Sequence, residues 1–158
     1  MIVVDTSAII AILLKEPQAR DCLAALSKAG TVLISAATLT ETHIVAGQKD
    51  VSDLLFELLN FVRLEVITLD EQAALRAAEG YALWGKNYHK AEINYGDSFS
   101  YALAKSRDCP LLFIGNDFSQ SSATTFPRPT SSAPSERCHD FGSSFPRETL
   151  GCLDASAS

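Results

Sequence analysis

Ile2-Val3-Val4-Asp5-Thr6-Ser7-Ala8-Ile9-Ile10-Ala11-Ile12-Leu13-Leu14 decides the fold. Three β-branched residues form a short buried strand, and Asp5 stands at its carboxyl end. Thr6 or Ser7 is placed to cap a helix whose body, Ala8 to Leu14, is apolar on nearly every side, as expected of a helix lying on a sheet. Lys15-Glu16-Pro17 ends that helix.

The same alternation runs on through the chain. Ala19, Cys22, Leu23 and Leu26 fall at helical spacing before Gly30, and Thr31-Val32-Leu33-Ile34-Ser35 reads as a second buried strand. Ala37 to Ala46 predicts a helix stopped by Gly47, and Ser52 or Asp53 opens its partner through Leu54, Leu55, Leu58 and Leu59. Leu64 to Leu69 is strand-like, with Asp70 capping a helix that reaches Trp84 and closes at Gly85. Residues 86–96 read as a polar loop, Asp97 opens a helix to Ser106, and Pro110-Leu111-Leu112-Phe113-Ile114 is a last apolar strand. The order β-α-α-β-α-α-β-α-α-β predicts an α/β fold, a mostly parallel sheet covered on both faces. In such sheets ligands collect beyond the carboxyl ends of the strands.

Composition divides the chain near residue 120. The 158 residues carry a net charge of −6 and are 47% hydrophobic, which suits one domain with a real core. Every Val, every Ile and the single Trp precede residue 120, whereas 17 of the last 38 positions are Ser, Thr or Pro. Residues 1–120 are therefore read as the folded domain and 121–158 as an atypical, irregular Ser/Thr/Pro-rich tail. No apolar run approaches the roughly 20 residues that cross a bilayer, and the first residues lack a signal peptide's basic and hydrophobic regions, so the expectation is a cytoplasmic protein without membrane contact. Cys22, Cys109, Cys138 and Cys152 show no CxxC pairing and suggest neither a disulfide framework nor a zinc site.

Four carboxylates carry the chemistry. Asp5 follows the first strand, Asp117 follows the last, Glu41 lies early in the helix after strand two, and Asp97 opens the helix before the last strand. All four can meet on the sheet's carboxyl rim, where like charges at close range need protons or cations between them. Mg²⁺ and Mn²⁺ suit such a site, because they take carboxylate oxygens and retain waters for substrate phosphates. Such a site matches phosphodiester hydrolysis, in which a metal lowers the pKa of a bound water and stabilises the leaving oxygen. Taken singly, each acid also reads as a helix cap, a solvated helix residue or a turn former.

Met1-Ile2-Val3-Val4-Asp5-Thr6-Ser7-Ala8-Ile9, Leu39-Thr40-Glu41, Tyr95-Gly96-Asp97-Ser98-Phe99-Ser100-Tyr101-Ala102-Leu103-Ala104 and Gly115-Asn116-Asp117-Phe118 resemble, in order and approximate spacing, the four blocks of PIN-domain ribonucleases, particularly VapC toxins of VapBC toxin–antitoxin pairs. The resemblance implies a PIN-like three-layer fold with a central mostly parallel sheet flanked by helices. It implies a Mg²⁺- or Mn²⁺-dependent endoribonuclease, usually a homodimer, inhibited by a VapB-type antitoxin that inserts a peptide into the acidic groove. By position in the blocks, Asp5, Glu41, Asp97 and Asp117 are the implied metal-binding and catalytic acids, with Asp5 and Asp97 the principal Mg²⁺ ligands. Thr6 or Ser7 is implied as a supporting hydroxyl, with Asn116 a further supporting candidate.

Net charge first argues against an RNA partner. Residues 1–120, however, contain 10 Lys and Arg against 15 Asp and Glu, and four of those acids are the proposed site. Two bound divalent cations would bring the domain close to neutral. Lys86, Lys90, Lys105 and Arg107 are then candidate backbone contacts, while Trp84, Tyr88 and Tyr95 serve packing or base stacking. His43 falls on a different helix face from Glu41, His89 has no paired acid, and His139 is in the tail. The sequence has no G-x-S-x-G elbow, P-loop or G-x-G-x-x-G fingerprint, and Asp5-Thr6-Ser7 lacks the second Asp of haloacid-dehalogenase phosphatases. After Phe118 the VapC pattern continues into an aliphatic strand, whereas Ser119 to Thr125 resembles out-of-frame translation. Sequencing the locus across codons 118–125 tests that frameshift hypothesis, which an intact frame would exclude. A catalytically impaired antitoxin-binding protein is the competing reading. A phosphoacceptor domain is disfavoured because no adjacent acidic pair follows the first strand.

Overall fold

A computed structural model of the chain describes residues 1–86, 88 and 93–115. Ten elements follow the predicted order: β1 (Ile2–Val4), α1 (Thr6–Leu13), α2 (Ala19–Lys28), β2 (Val32–Ser35), α3 (Ala36–Gln48), α4 (Ser52–Val62), β3 (Glu65–Ile67), α5 (Glu71–Trp84), α6 (Tyr95–Ser106) and β4 (Leu111–Leu112). Among the described residues the sheet has strand order β3-β2-β1-β4 and is parallel throughout. Ile2 faces Val32 and Val3 faces Leu111 in the ladder, so β1 is central and its carboxyl end lies in the middle of the rim.

Period-two alternation sorts the strand side chains into two cores. Ile2, Val4, Ile34 and Leu112 pack beneath α1 to α4 with Ile9, Leu26 and Leu55. Val3, Leu33 and Leu111 face the other way, against Tyr101 and Leu103 of α6, with Trp84 at the margin. Burying each such aliphatic contributes about 1.5–3 kcal/mol, and doing so on both faces makes the three-layer arrangement the favourable one. The α5–α6 pair is drawn together at Gly80, where a Cβ would lie 2.8 Å from the Tyr101 ring.

Several boundaries differ from the sequence expectation. Asp5, rather than Thr6 or Ser7, caps α1, since its side chain accepts the Ser7 N–H. The α3 helix begins at Ala36, passes through Gly47 and ends at Gln48, with Asp50 beyond its cap in the left-handed region at φ 55°. Gly47 does not stop it because intrahelical bonding outweighs one glycine's cost of about 1 kcal/mol. The α6 helix begins at Tyr95 and is capped by Asn94, which places Asp97 inside its first turn. Glu65 and Val66 of β3 are exposed, whereas Leu111 and Leu112 of β4, at the other end of the strand order, are buried. Pairing in β4 ends at Leu112, and the Ile114 N–H turns to the Ser7 hydroxyl instead of a neighbouring strand.

Candidate active site

The two central strands each pass directly into a helix. Asp5 separates β1 from α1, and Ser35 is both the end of β2 and the N-cap of α3. This places the first turns of α1 and α3 side by side on the carboxyl rim, with α6 descending beside them. An open cavity of about 340 Å³ lies there, lined by Asp5, Thr6, Ser7, Glu41, Asn94 and Asp97 among others. Three of the four sequence-predicted acids therefore share one cavity. Asp117 and Asn116 lie outside the described residues.

Each acid is held differently. Asp5 is 2% exposed. Its Oδ2 accepts the Ser7 N–H at 2.9 Å and the Ser7 hydroxyl at 2.7 Å, while Oδ1 accepts the Ser100 hydroxyl at 2.6 Å. Glu41 is half-buried, and its Oε2 accepts the Thr6 hydroxyl at 2.8 Å. Gly96 lets that carboxylate approach α6, for a Cβ there would lie 2.7 Å from Glu41 Cδ. Asp97 forms a capping box with Asn94: its Oδ2 accepts the Asn94 N–H at 2.8 Å, and its own N–H donates to Asn94 Oδ1 at 2.9 Å. Helix capping and cavity lining thus coexist at Asp5 and Asp97.

Behind the acids lies a layer of buried hydroxyls on α3 and α6. Thr38 and Thr42, one turn apart and both 0% exposed, face inward. The Thr38 hydroxyl lies 3.1 Å from that of Ser100, and the Thr42 hydroxyl 3.1 Å from that of Thr6. Sequence reading missed Ser100, Thr38, Thr42, Asn94 and Gly96. The available signals were the i, i+4 spacing of the threonines, the i, i+3 spacing of Asp97 and Ser100, and the Asn94-x-x-Asp97 capping pattern.

Donor chemistry fits a hard divalent cation. The cavity offers carboxylate oxygens and an opening to water, and among the described residues no three Asp, Glu, His or Cys side chains close tightly around one point. Carboxylate oxygens beside water are the donors that Mg²⁺ takes, since it is ordinarily held by one or two carboxylates and keeps several waters. Thiol chemistry has no support here. Burial pushes the Cys22 and Cys109 thiols up from the ordinary cysteine value, opposite to an activated nucleophile. His43 is exposed and outside the cavity lining. Trp84 donates its indole N–H to the Tyr101 hydroxyl at 3.0 Å and packs against the sheet, whereas Tyr95 is 75% exposed and stands edge-on to Phe99. His89 and Lys90 lie outside the described residues.

The PIN domain family matches residues 2–122. Ribonuclease VapC30 of Mycobacterium tuberculosis is 39% identical over 132 residues, spanning 80% of this chain and 99% of that protein. The fold is similar to that of VapC20 from Mycobacterium tuberculosis, a sarcin–ricin loop cleaving toxin, with a TM-score of 0.65, 16% identity and coverage of 82% of this chain and 100% of that one. It is similar also to a toxin–antitoxin complex from Klebsiella pneumoniae, with a TM-score of 0.62, 17% identity and coverage of 82% and 100%. The chain belongs to the PIN-domain family and, within it, to the VapC ribonucleases. Among the described residues no helix is long and apolar enough to cross a membrane.

Proposed function

We propose that the chain is a divalent-metal-dependent endoribonuclease, the toxin of a VapBC-type pair, acting in the cytoplasm as a homodimer and restrained by a VapB-type antitoxin. The observation that carries the catalytic reading is the convergence of Asp5, Glu41 and Asp97 from three elements on one water-open cavity. These three, with Asp117 from the sequence, would hold Mg²⁺ or Mn²⁺, and Asp5 and Asp97 are the principal ligands. When bound, the metal supplies an activated water and charge stabilisation at the attacked phosphate. Ser7 and Ser100 orient the Asp5 carboxylate, Thr6 orients that of Glu41, and Asn94 orients that of Asp97. Residues 1–120 form the catalytic unit, a division supported by the family match ending at residue 122.

Purified protein incubated with single-stranded and structured RNA tests this reading. Cleavage that requires added Mg²⁺ or Mn²⁺ and stops on chelation is the expected outcome. Intact RNA under all metal conditions would count against the enzyme reading and favour the antitoxin-binding one.

A further inference from the structure

The cavity that holds the acids has a second, apolar half. Ile10 lies one turn below Thr6 and Ser7 on α1, and Val45 lies one turn below Glu41 on α3; both line the cavity. An ion with six waters, at about 30 Å³ each, fills only about half of the 340 Å³. Glu16, beyond the end of α1, lines it as well. The turn that ends α1 sets this glutamate there. Leu14 is the C-cap, Lys15 is left-handed at φ 55°, the Lys15 N–H donates to the Ile12 carbonyl at 3.2 Å, and the Glu16 N–H donates to that of Ala11 at 2.9 Å. These bonds make a Schellman motif, in which the residue at the Glu16 position is frequently apolar and packs back on the helix at the positions held here by Ile10 and Ala11. A charged side chain stands in that place. Among the described residues its carboxylate has neither a hydrogen-bond nor an ion-pair partner.

We propose that Glu16 is a specificity-determining residue that reads the Watson–Crick edge of the unpaired base beside the scissile phosphate and selects guanine. The inference rests on the ribonuclease reading of the cavity. Unpaired RNA bases are free to present that edge to protein side chains, and an ionised carboxylate only accepts hydrogen bonds. Guanine alone sets two donors side by side, N1–H and the 2-amino group, and so satisfies both carboxylate oxygens. Adenine and cytosine each set one donor beside a ring-nitrogen acceptor, and uracil sets its N3–H between two carbonyls. Each of these brings a lone pair against the carboxylate. Ile10 and Val45 supply apolar walls for the base, one helical turn from the acids that take the phosphate's cation.

Cleavage of a randomised single-stranded RNA pool by the full chain with Mg²⁺, read by sequencing the new ends, tests this. Guanine is expected about tenfold over each other base at one position flanking the cut, the worth of a two-point contact to one base. Glu16→Gln replaces one acceptor by a donor, so the guanine preference should fall below about twofold, with adenine gaining. In a defined oligonucleotide cut by the wild type, inosine in place of that guanine removes the 2-amino group alone and should slow cleavage about fivefold, a comparison that needs no variant. Circular dichroism establishes folding of Glu16→Gln. A cut position without guanine preference in the wild type, a preference that survives in folded Glu16→Gln, or inosine cut as fast as guanine would overturn the role of Glu16 while leaving the ribonuclease reading standing. A wild-type chain that leaves the pool intact would overturn both.

Discussion

Gly96→Ala separates stability from activity at the point where α3 meets α6. The new Cβ would lie 2.7 Å from Glu41 Cδ and closer still to Oε1, whereas ordinary contact begins at 3.4 Å, so the carboxylate must retreat by about 1 Å. Glu41 is the far end of a flexible side chain, and it moves at the expense of its 2.8 Å bond from Thr6. Losing that half-buried bond costs about 1 kcal/mol after screening by water. Replacing glycine by alanine within α6 returns about 0.5–1 kcal/mol. The two nearly cancel, and the urea-unfolding free energy should change by less than about 1 kcal/mol. Activity has no such compensation, because displacement of this order at a reacting centre costs about 100-fold. The assay is cleavage of a fluorescent RNA at saturating Mg²⁺ beside urea denaturation of the same preparation. Wild-type cleavage by Gly96→Ala would refute the placement of Glu41 in the site, and a stability loss of several kcal/mol would refute the claim that the side chain can yield.

Leu55 is the one residue of α4 buried completely, at 0% exposure in the core beneath the sheet, so Leu55→Ala should cost about 2–5 kcal/mol in urea denaturation. Tyr95→Ala, at a residue 75% exposed beside Asn94, should leave the fold intact and weaken binding of single-stranded RNA about tenfold, measured by filter binding on an Asp97→Asn background. Cys22 is 1% exposed with its thiol raised first by burial and then by Asp21 and Glu16. Its neutral form is therefore favoured in the folded state, so the associated stability is fully present below the ordinary thiol value and is lost as pH rises through the raised folded one. Alkylation of Cys22 should accordingly lag that of a free thiol at pH 8 and reach parity only in denaturant.

The succession of elements was legible because the chain alternates short β-branched runs with longer apolar-striped segments, and Asp5, Asp70 and Gly85 stand where one period gives way to the other. The start of α6 was not: Asp97 reads as the opening residue, yet Asn94 makes the cap and Asp97 answers it from inside the first turn. Nor was the exposure of β3, since how far the helices cover each strand is set by tertiary packing rather than by local pattern. In the site, acids stood out because charge at strand ends demands explanation. Thr38, Thr42 and Ser100 did not, for hydroxyl residues on a helix read as solvent-facing until packing shows them at 0% exposure. Their role appears only when three segments are brought within hydrogen-bonding distance.

Asp97 joins the helix cap of α6 to the cavity. Asparagine at this position keeps an oxygen able to accept the Asn94 N–H, so the helix cap survives and the melting temperature should stay close to that of the wild type. The decisive measurement is the single-turnover rate of RNA cleavage by folded Asp97→Asn in saturating Mg²⁺ against wild type. A loss of about 1,000-fold or more is predicted, and a rate within about threefold of wild type would contradict the assignment of this cavity as the active site.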